Sequence, residues 1–557
     1  MTGRGRTAVL ALVVAAAAAA AYLPALGHGF AYDDHRFVER NPHLDAVAAA
    51  PWRAFDPAVT TEDGAEPGMW RPLRTAAFAW TRALGGPGPA AAHGVSMILH
   101  GVATALVFAV AAALGAGDLG AAVGASLFAF HPAQAESVAW VSSQGDLLAG
   151  VLSLAAVLCH LRGRRWPVPL LALFAFLAKE SAVALPLLLI VADLAAGGAP
   201  RARANLRVAG ATAAVLVAAS LARWFALRSA DAAFGQGEGM GLGTGGMLAA
   251  LPSLLGWYAW RTLVPLPGTY DQQVAPGALL SLGFLLLLGA LAAWRRFPLP
   301  VRTAGPARVA AAWALAALAP VTLLQVAFPL RILAADRFLY LALAGPCVAA
   351  GAAVGALGPA VARAGLCAAP LLLVATFPAA VRWRSDEALW RDTLERQPGH
   401  PRALYGVAAT EADPARSLPL LEAYLERVPG DAGAWYLRGA VEEALGLAAA
   451  DAPTHRGRMM QAARSFSEAA GIWGRGEPEG RRRGYTAARL ARACVLAAIG
   501  DDVGAEEEAG RAAGQLRSEP DAVRVALAPR VAVLRRWARE RDRVAVLQAL
   551  DRAEGPR

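Results

Sequence analysis

Charge is scarce in this chain of 557 residues: 17% of them are Asp, Glu, Lys or Arg, against about 25% in an ordinary soluble domain. With 56% apolar residues and a mean hydropathy of +0.40, that shortage argues against a purely cytosolic enzyme. Lysine is nearly absent, because Lys179 is the only one and arginine stands everywhere else. Cysteine is rare as well. Cys159, Cys347, Cys367 and Cys494 include no close pair, which leaves neither a disulfide framework nor a metal motif. A basic stripe with interleaved aromatics is also missing, so the net charge of +10 does not read as nucleic-acid binding.

What the chain has instead is a series of apolar runs, all before about residue 381. They fall at 8–26, 91–114, 119–130, 147–161, 166–178, 182–196, 208–227, 247–264, 279–294, 309–328, 338–354 and 366–381. Several approach the roughly 20 residues that a membrane helix needs, and the shorter ones borrow flanking residues. The first run follows Arg4 and Arg6 without an obvious small-residue cleavage site before Pro24, so it reads as an uncleaved helix with a cytoplasmic N-terminus. Basic residues crowd three loops, at Arg162, Arg164 and Arg165, at Arg201, Arg203 and Arg207, and at Arg295, Arg296, Arg302 and Arg308. The positive-inside rule puts all three loops on one side. That holds if 247–264 re-enters or lies along the surface, which leaves about eleven spans.

From 384 onward the composition changes to amphipathic helices punctuated by Pro and Gly. "PGHPRALY" (Pro398 to Tyr405) returns as "PGDAGAWY" (Pro429 to Tyr436), a period of 31 residues, close to the 34 of a tetratricopeptide (TPR) repeat. Trp435 and Gly439 fit the first helix of such a repeat and Ala462, Phe466 and Ala469 the second, displaced by an insertion at 450–458. The expected fold is all-α: a polytopic transmembrane bundle over 1–383, then a soluble TPR-like α-solenoid over 384–557, facing the outside of the membrane by the span count.

Ionisable residues at a membrane edge are costly and mark functional sites by default. Loop parity gathers those of this chain on the outer side: Asp33 and Asp34 after the first run, His131, Glu136, Gln144 and Asp146 between the third and fourth, Lys179 and Glu180 between the fifth and sixth, and Arg331, Asp336 and Arg337 between two late runs. A carboxylate can deprotonate an acceptor hydroxyl and fixed cations can stabilise a departing phosphate. Read blandly, adjacent aspartates are a solvated loop or a helix cap, and Lys179 with Glu180 is an edge ion pair. A lysine kept at this one position weighs toward function. Arg71 is open between steadying the first outer loop and contacting phosphate. His93 and His100, on one helix face, read as interhelical hydrogen-bonders rather than ligands.

In order along the chain, "YDD", "WRPL", "HGVSMILH", "HPAQAESVAWVSSQGDLLA", "LAKESAVALPLLL", "DRFLYLALAG" and "WRSDEALWRDTLERQPGHPRALY" resemble the transmembrane and TPR repeat-containing O-mannosyltransferases and their bacterial relatives, within the GT-C class of membrane glycosyltransferases. The resemblance implies inverting transfer of a sugar, mannose or a similar hexose, from a polyprenyl-phosphate carrier to an acceptor hydroxyl of a protein or glycan, outside the cytoplasm. It maps Asp33, Asp34, Glu136 and Asp146 to catalysis. It maps Lys179, Arg331 and Arg337 to holding the lipid phosphate; Arg71, His131, Gln144 and Glu180 are further candidates for substrate binding, although Gln144 stands where relatives often carry arginine. A divalent cation such as Mg or Mn held by the carboxylates is left open. The partners implied are the lipid-linked donor, membrane lipid, the acceptor and a protein docked on the repeats, with a bacterial inner membrane as the setting. The competing reading is a non-catalytic scaffold whose repeats assemble envelope proteins, in which the outer carboxylates are dispensable.

Overall fold

The computed structural model describes residues 3–61, 69–229, 244–266, 268–272, 301–327, 334–475, 479–519 and 521–554. Every regular element among them is helical, and the only strand-like pairing among them is an isolated bridge between Gln272 and Ala334. The all-α expectation is met. Compact units form over Met1–Leu389 and Trp390–Arg557.

Five helices of the first unit are long and apolar enough to cross a membrane by length and composition: Gly5–Gly27, Pro89–Ala113, Val141–Leu161, Glu180–Arg228 and Pro359–Arg384. Shorter apolar helices run over Gly117–Phe130, Pro167–Ala178, Val309–Leu323 and Ala344–Ala356. The protein is a membrane protein. Glu180–Arg228 is far longer than one crossing, and it breaks at Gly198, whose φ of 68° no helical residue adopts, with Pro200 just beyond. That break separates the runs expected at 182–196 and 208–227, and Arg201, Arg203 and Arg207, expected in a loop, lie in the helical stretch that follows it. The stretch 247–264 is a helix, Thr244–Leu263, with Pro252 inside and Arg261 in its last turn. The run expected at 279–294, with Arg295 and Arg296, lies outside the described residues, and of Arg302 and Arg308 only the helical backbone is described.

Small residues set the helix spacing, as lipid-embedded helices need in the absence of a hydrophobic drive between them. A Cβ on Gly120 would stand 2.7 Å from the Gly351 carbonyl oxygen, and one on Gly124 2.7 Å from that of Cys347. The helices Gly117–Phe130 and Ala344–Ala356 therefore touch backbone to backbone. The two histidines of Pro89–Ala113 tie helices and loops together: His100 meets the Tyr340 hydroxyl at 3.1 Å and the Ala129 carbonyl at 3.0 Å, and His93 meets the Gly29 carbonyl at 3.2 Å.

The second unit is a succession of antiparallel helix pairs. Its helices start on side-chain caps: His400 accepts from the Ala403 N–H, Asp431 from Ala434, Asp451 from Thr454 and Asp501 from Gly504. His400 and Asp431 occupy the same position of the 31-residue repeat, so the repeat is a repeated cap. Gly439 lies under the Phe466 ring, 2.7 Å from where its Cβ would be, which is the small-against-large pairing expected of the two repeat helices. The stretch 450–458, expected as an insertion, is helical from Ala452 onward. Capped by Asp451, it extends the helix Ala452–Gly474 at its start, where His455 bonds the Gly446 carbonyl and Arg458 pairs with Glu442.

Candidate active site

The chain leaves its first helix through "AYDD" and turns sharply at Tyr32, whose φ of 55° is rare for a residue with a side chain. Two contacts hold the turn. The Tyr32 N–H donates to Asp386 at 2.5 Å, and His35 lies between Asp386 and Glu39. Hydrogen bonding to Asp386 outweighs burial and raises the His35 pKa to about 9.

Asp34 is buried, at 1% exposure. Its Oδ1 accepts from both the N–H and the hydroxyl of Ser142, at 2.7 and 2.5 Å, and its Oδ2 accepts from the Ala31 N–H at 3.2 Å. The segment after the first helix is thereby fastened to the segment around Ser142. Burial pushes the Asp34 carboxyl up to about 7, against the pull of the Ser142 bonds. Asp33 beside it is half-buried, so the two adjacent aspartates differ in burial.

The remaining acidic residues expected at this face each hold a cation from another segment. Asp146 takes the Lys179 ammonium with both oxygens, at 2.6 and 2.5 Å, and the Ser143 hydroxyl at 2.9 Å. Glu180 takes Arg71 in a two-bond fork of 2.9 and 2.6 Å. Glu136 accepts from the Arg337 guanidinium and, at 3.2 Å, from the Arg337 N–H. Asp336 takes Arg261 at 2.9 and 2.6 Å. Two-bond forks of this kind fix planar geometry as well as charge. Burial raises the Glu136 carboxyl, with the Arg337 charge opposing.

Aromatic faces close the pairs in. Arg337 lies over Trp140 and Phe338, and Lys179 over the same Phe338. Trp140 in turn stacks on Trp383 at 4.9 Å, and Tyr32 and Tyr270 complete the cluster. A narrow cleft opens beside Asp146, Ser153, Ser181, Arg337, Phe338 and Tyr340.

The structure thus brings together Asp33 and Asp34, Arg71, His131, Glu136, Asp146, Lys179, Glu180 and Arg337 on segments joined by these contacts. His131 is buried near Arg261 and Asp336, which act on it electrostatically. Gln144 faces elsewhere: its amide donates to the Ala92 carbonyl at 2.8 Å and to Ser96 at 3.2 Å, against the helix Pro89–Ala113. Arg331 lies outside the described residues. Sequence reading passed over Arg74 and Arg261, though an arginine inside the apolar run 247–264 was a visible signal and Arg74 stands one helical turn after Arg71. The carboxylates as arranged do not suit a metal ion. Both oxygens of Asp34, Asp146, Glu136 and Glu180 are engaged by internal donors, and among the described residues no three His, Cys, Asp or Glu side chains converge.

These features define a polytopic helical membrane protein with a charge-paired site at one end of its bundle, followed by helical repeats. No family model and no solved structure matches the chain. Among curated proteins, protein O-mannosyl-transferase Tmtc2 of Drosophila melanogaster is 39% identical over 150 residues, 26% of this chain and 16% of that protein. Tmtc1 of the same fly is 36% identical over 187 residues, 31% of this chain and 21% of the fly protein. Human TMTC2 is 30% identical over 156 residues, 27% and 18% of the two chains. The matched stretches cover about a fifth of the length of these relatives. Within those stretches the chain is similar to TMTC protein O-mannosyl-transferases, in agreement with the resemblance read from the motifs.

Proposed function

We propose that the protein is an inverting membrane glycosyltransferase of the GT-C type, moving a hexose such as mannose from a polyprenyl-phosphate carrier to a protein or glycan hydroxyl on the outer face of a bacterial inner membrane, with about eleven spans and the repeats on that outer side. The observation that carries the reading is the convergence of three buried ion pairs, the half-buried Arg71–Glu180 pair and the "YDD" turn, from six separate segments, at one end of the bundle. The names of the matched relatives support transfer to protein.

In this mechanism Asp34 pins the loop and Asp33 accepts the proton of the acceptor hydroxyl. The freed oxygen attacks the anomeric carbon from the face opposite the carrier, and the bond to the phosphate oxygen breaks. Its electron pair leaves with the phosphate, toward the cations Lys179, Arg337 and Arg331. One base on the face opposite the leaving group suffices for inversion, without a covalent sugar intermediate. The repeats orient a protein acceptor or partner.

The test is sugar transfer by purified protein supplied with labelled polyprenyl-phosphate sugars. Asp33→Asn is expected to cost roughly a hundredfold or more in rate, the usual worth of a positioned base, while the variant still inserts and unfolds at the wild-type temperature. Full transfer by that variant overturns the assignment of Asp33 as the base. Absence of transfer by the wild-type protein, with specific capture of envelope proteins by the repeats, would establish the scaffold in its place.

A further inference from the structure

The cations around the site come with counter-ions of their own: Arg71 with Glu180, Lys179 with Asp146, Arg337 with Glu136 and Arg261 with Asp336. Each pair is close to neutral, and a phosphate arriving at any of them has to displace a carboxylate held by two or more bonds. Arg74 is different. Its side chain is 1% exposed, and it makes no ion pair among the described residues.

The guanidinium lies 4.5 Å from the centre of the Phe37 ring and 5.5 Å from that of Phe78. One Nη reaches the Met69 sulfur at 3.0 Å, a weak acceptor, and Nε has no hydrogen-bond partner. The stem rests on Gly145, the neighbour of Asp146. A Cβ at that glycine would stand 3.2 Å from Arg74 Cδ and 3.0 Å from the carbonyl oxygen of Ala178, the residue before Lys179. Arg74 therefore lies against both strands of chain that supply the Lys179–Asp146 pair. Asp33, Glu180 and Asp146 act on it through space without bonding to it, and burial, with Arg71 adding to it, pulls its pKa down to about 9.

A buried cation without a partner is costly, and two aromatic faces offset only part of that cost. A guanidinium also offers five N–H donors in a rigid fork suited to phosphate, and here nearly all are idle. The half-buried Met69 covering them is an unbranched thioether, the kind of side chain that moves aside at little cost. We propose that Arg74 is a further anion-receiving residue of the site, taking a phosphoryl oxygen of the donor carrier alongside Lys179 and Arg337, while the four ion pairs around it hold the walls in shape. The proposal rests on the phosphate-linked donor of the preceding section and names the residue that meets it.

The experiment compares binding of undecaprenyl phosphate with binding of undecaprenol, the same lipid without its phosphate, to purified full-length protein in detergent. Wild-type protein is expected to prefer the phosphate-bearing lipid. In Arg74→Met, where a methionine fills the slot between Phe37 and Phe78, that preference falls by about tenfold or more, the worth of a charge-assisted hydrogen bond. Affinity for undecaprenol stays constant, and the unfolding temperature holds or rises because an unpaired buried charge has gone. Arg74→Lys, which keeps the charge and loses the fork, retains an intermediate preference. A merely structural arginine gives the reverse: a lowered unfolding temperature with the phosphate preference intact, and that result overturns the proposal. Should Arg74→Met fail to insert, an unchanged preference in Arg74→Lys overturns it equally. A wild-type protein that binds both lipids alike would remove the donor reading and this proposal together, whereas a wild-type preference that survives in both variants removes this proposal alone.

Discussion

The helix Gln144–Leu161 carries a different kind of charge at each end. At its start Asp146 grips Lys179, and the pairs Glu136–Arg337 and Arg71–Glu180 stand near, one carboxylate to one cation. About 21 Å further along, at 1.5 Å per residue, His160 meets Asp193 at 2.8 Å. That single carboxylate also takes Arg201 at 2.8 Å and Asn205 at 3.0 Å, fastening the break at Gly198. Around it Arg162, Arg164, Arg203 and Arg207 are exposed and bond no carboxylate among the described residues. One end has its cations buried, paired and cross-linked between loops; the other shows an excess to the surroundings. The +10 net charge is therefore a poor guide to chemistry, since most of the surplus marks an end of the bundle and the cations of the candidate site, Arg74 apart, are paired with carboxylates.

The comparison is broken most severely by removing one carboxylate from each end. Glu136→Gln leaves Arg337 buried with its charge uncompensated and is expected to cost about 3–5 kcal/mol, read as thermal unfolding in detergent. Asp193→Asn should cost less, because Arg201 keeps a third of its side chain exposed to solvent. If the Asp193 variant is the less stable of the two, burial is not what separates the ends.

A smaller and more pointed test lies in pH. Asp34 holds its proton in the folded protein up to about pH 7, whereas in the unfolded chain it gives the proton up near its ordinary value of 3.8. Between these limits the folded state binds more protons, so stability declines as pH rises from about 4 to 7. His35 acts in the same direction at higher pH. Its value is raised to about 9 from 6.5, so its contribution is complete below 6.5 and is lost as pH rises through 9. Asp34→Asn should flatten the lower decline, by a few kcal/mol at most, and leave the upper one in place. An unchanged slope below pH 7 would show that Asp34 is charged when folded, and that the segment after the first helix is fastened differently.

Loop parity alone put Asp33, Glu136, Lys179 and Arg337 on one face, because hydropathy and arginine placement are one-dimensional signals written along the chain. The pairings were not legible. Glu136 and Arg337 are 201 residues apart and Arg71 and Glu180 are 109 apart, and which carboxylate meets which cation depends on how helices dock, which glycines such as Gly120 and Gly124 decide through close contact. The bonding of Asp34 was hidden for a related reason: it is made with Ser142, from another segment. In the second unit the 31-residue period was readable because each repeat carries its own cap at His400 or Asp431. The length of Ala452–Gly474 was not, since Asp451 caps a helix that the repeat pattern alone would start later.

The smallest effect is expected at the arginine-rich end. Arg162, Arg164, Arg203 and Arg207 touch no carboxylate among the described residues, so glutamine at any one of them should change stability by less than about 0.5 kcal/mol and leave sugar transfer intact. Trp166, 81% exposed beside them, has the place of an interfacial aromatic, which gives this end a second anchor when one cation is removed. The charges act on orientation as a sum, because the bias counts cations on short loops and no one of them makes a specific bond. Replacing all four together should therefore produce molecules of mixed orientation, measured by a compartment-specific reporter fused after Val381, where each single variant produces none. A single variant that inverts the reporter would mean that one of these arginines has a bonded partner, and the contrast between the two ends would then be one of degree.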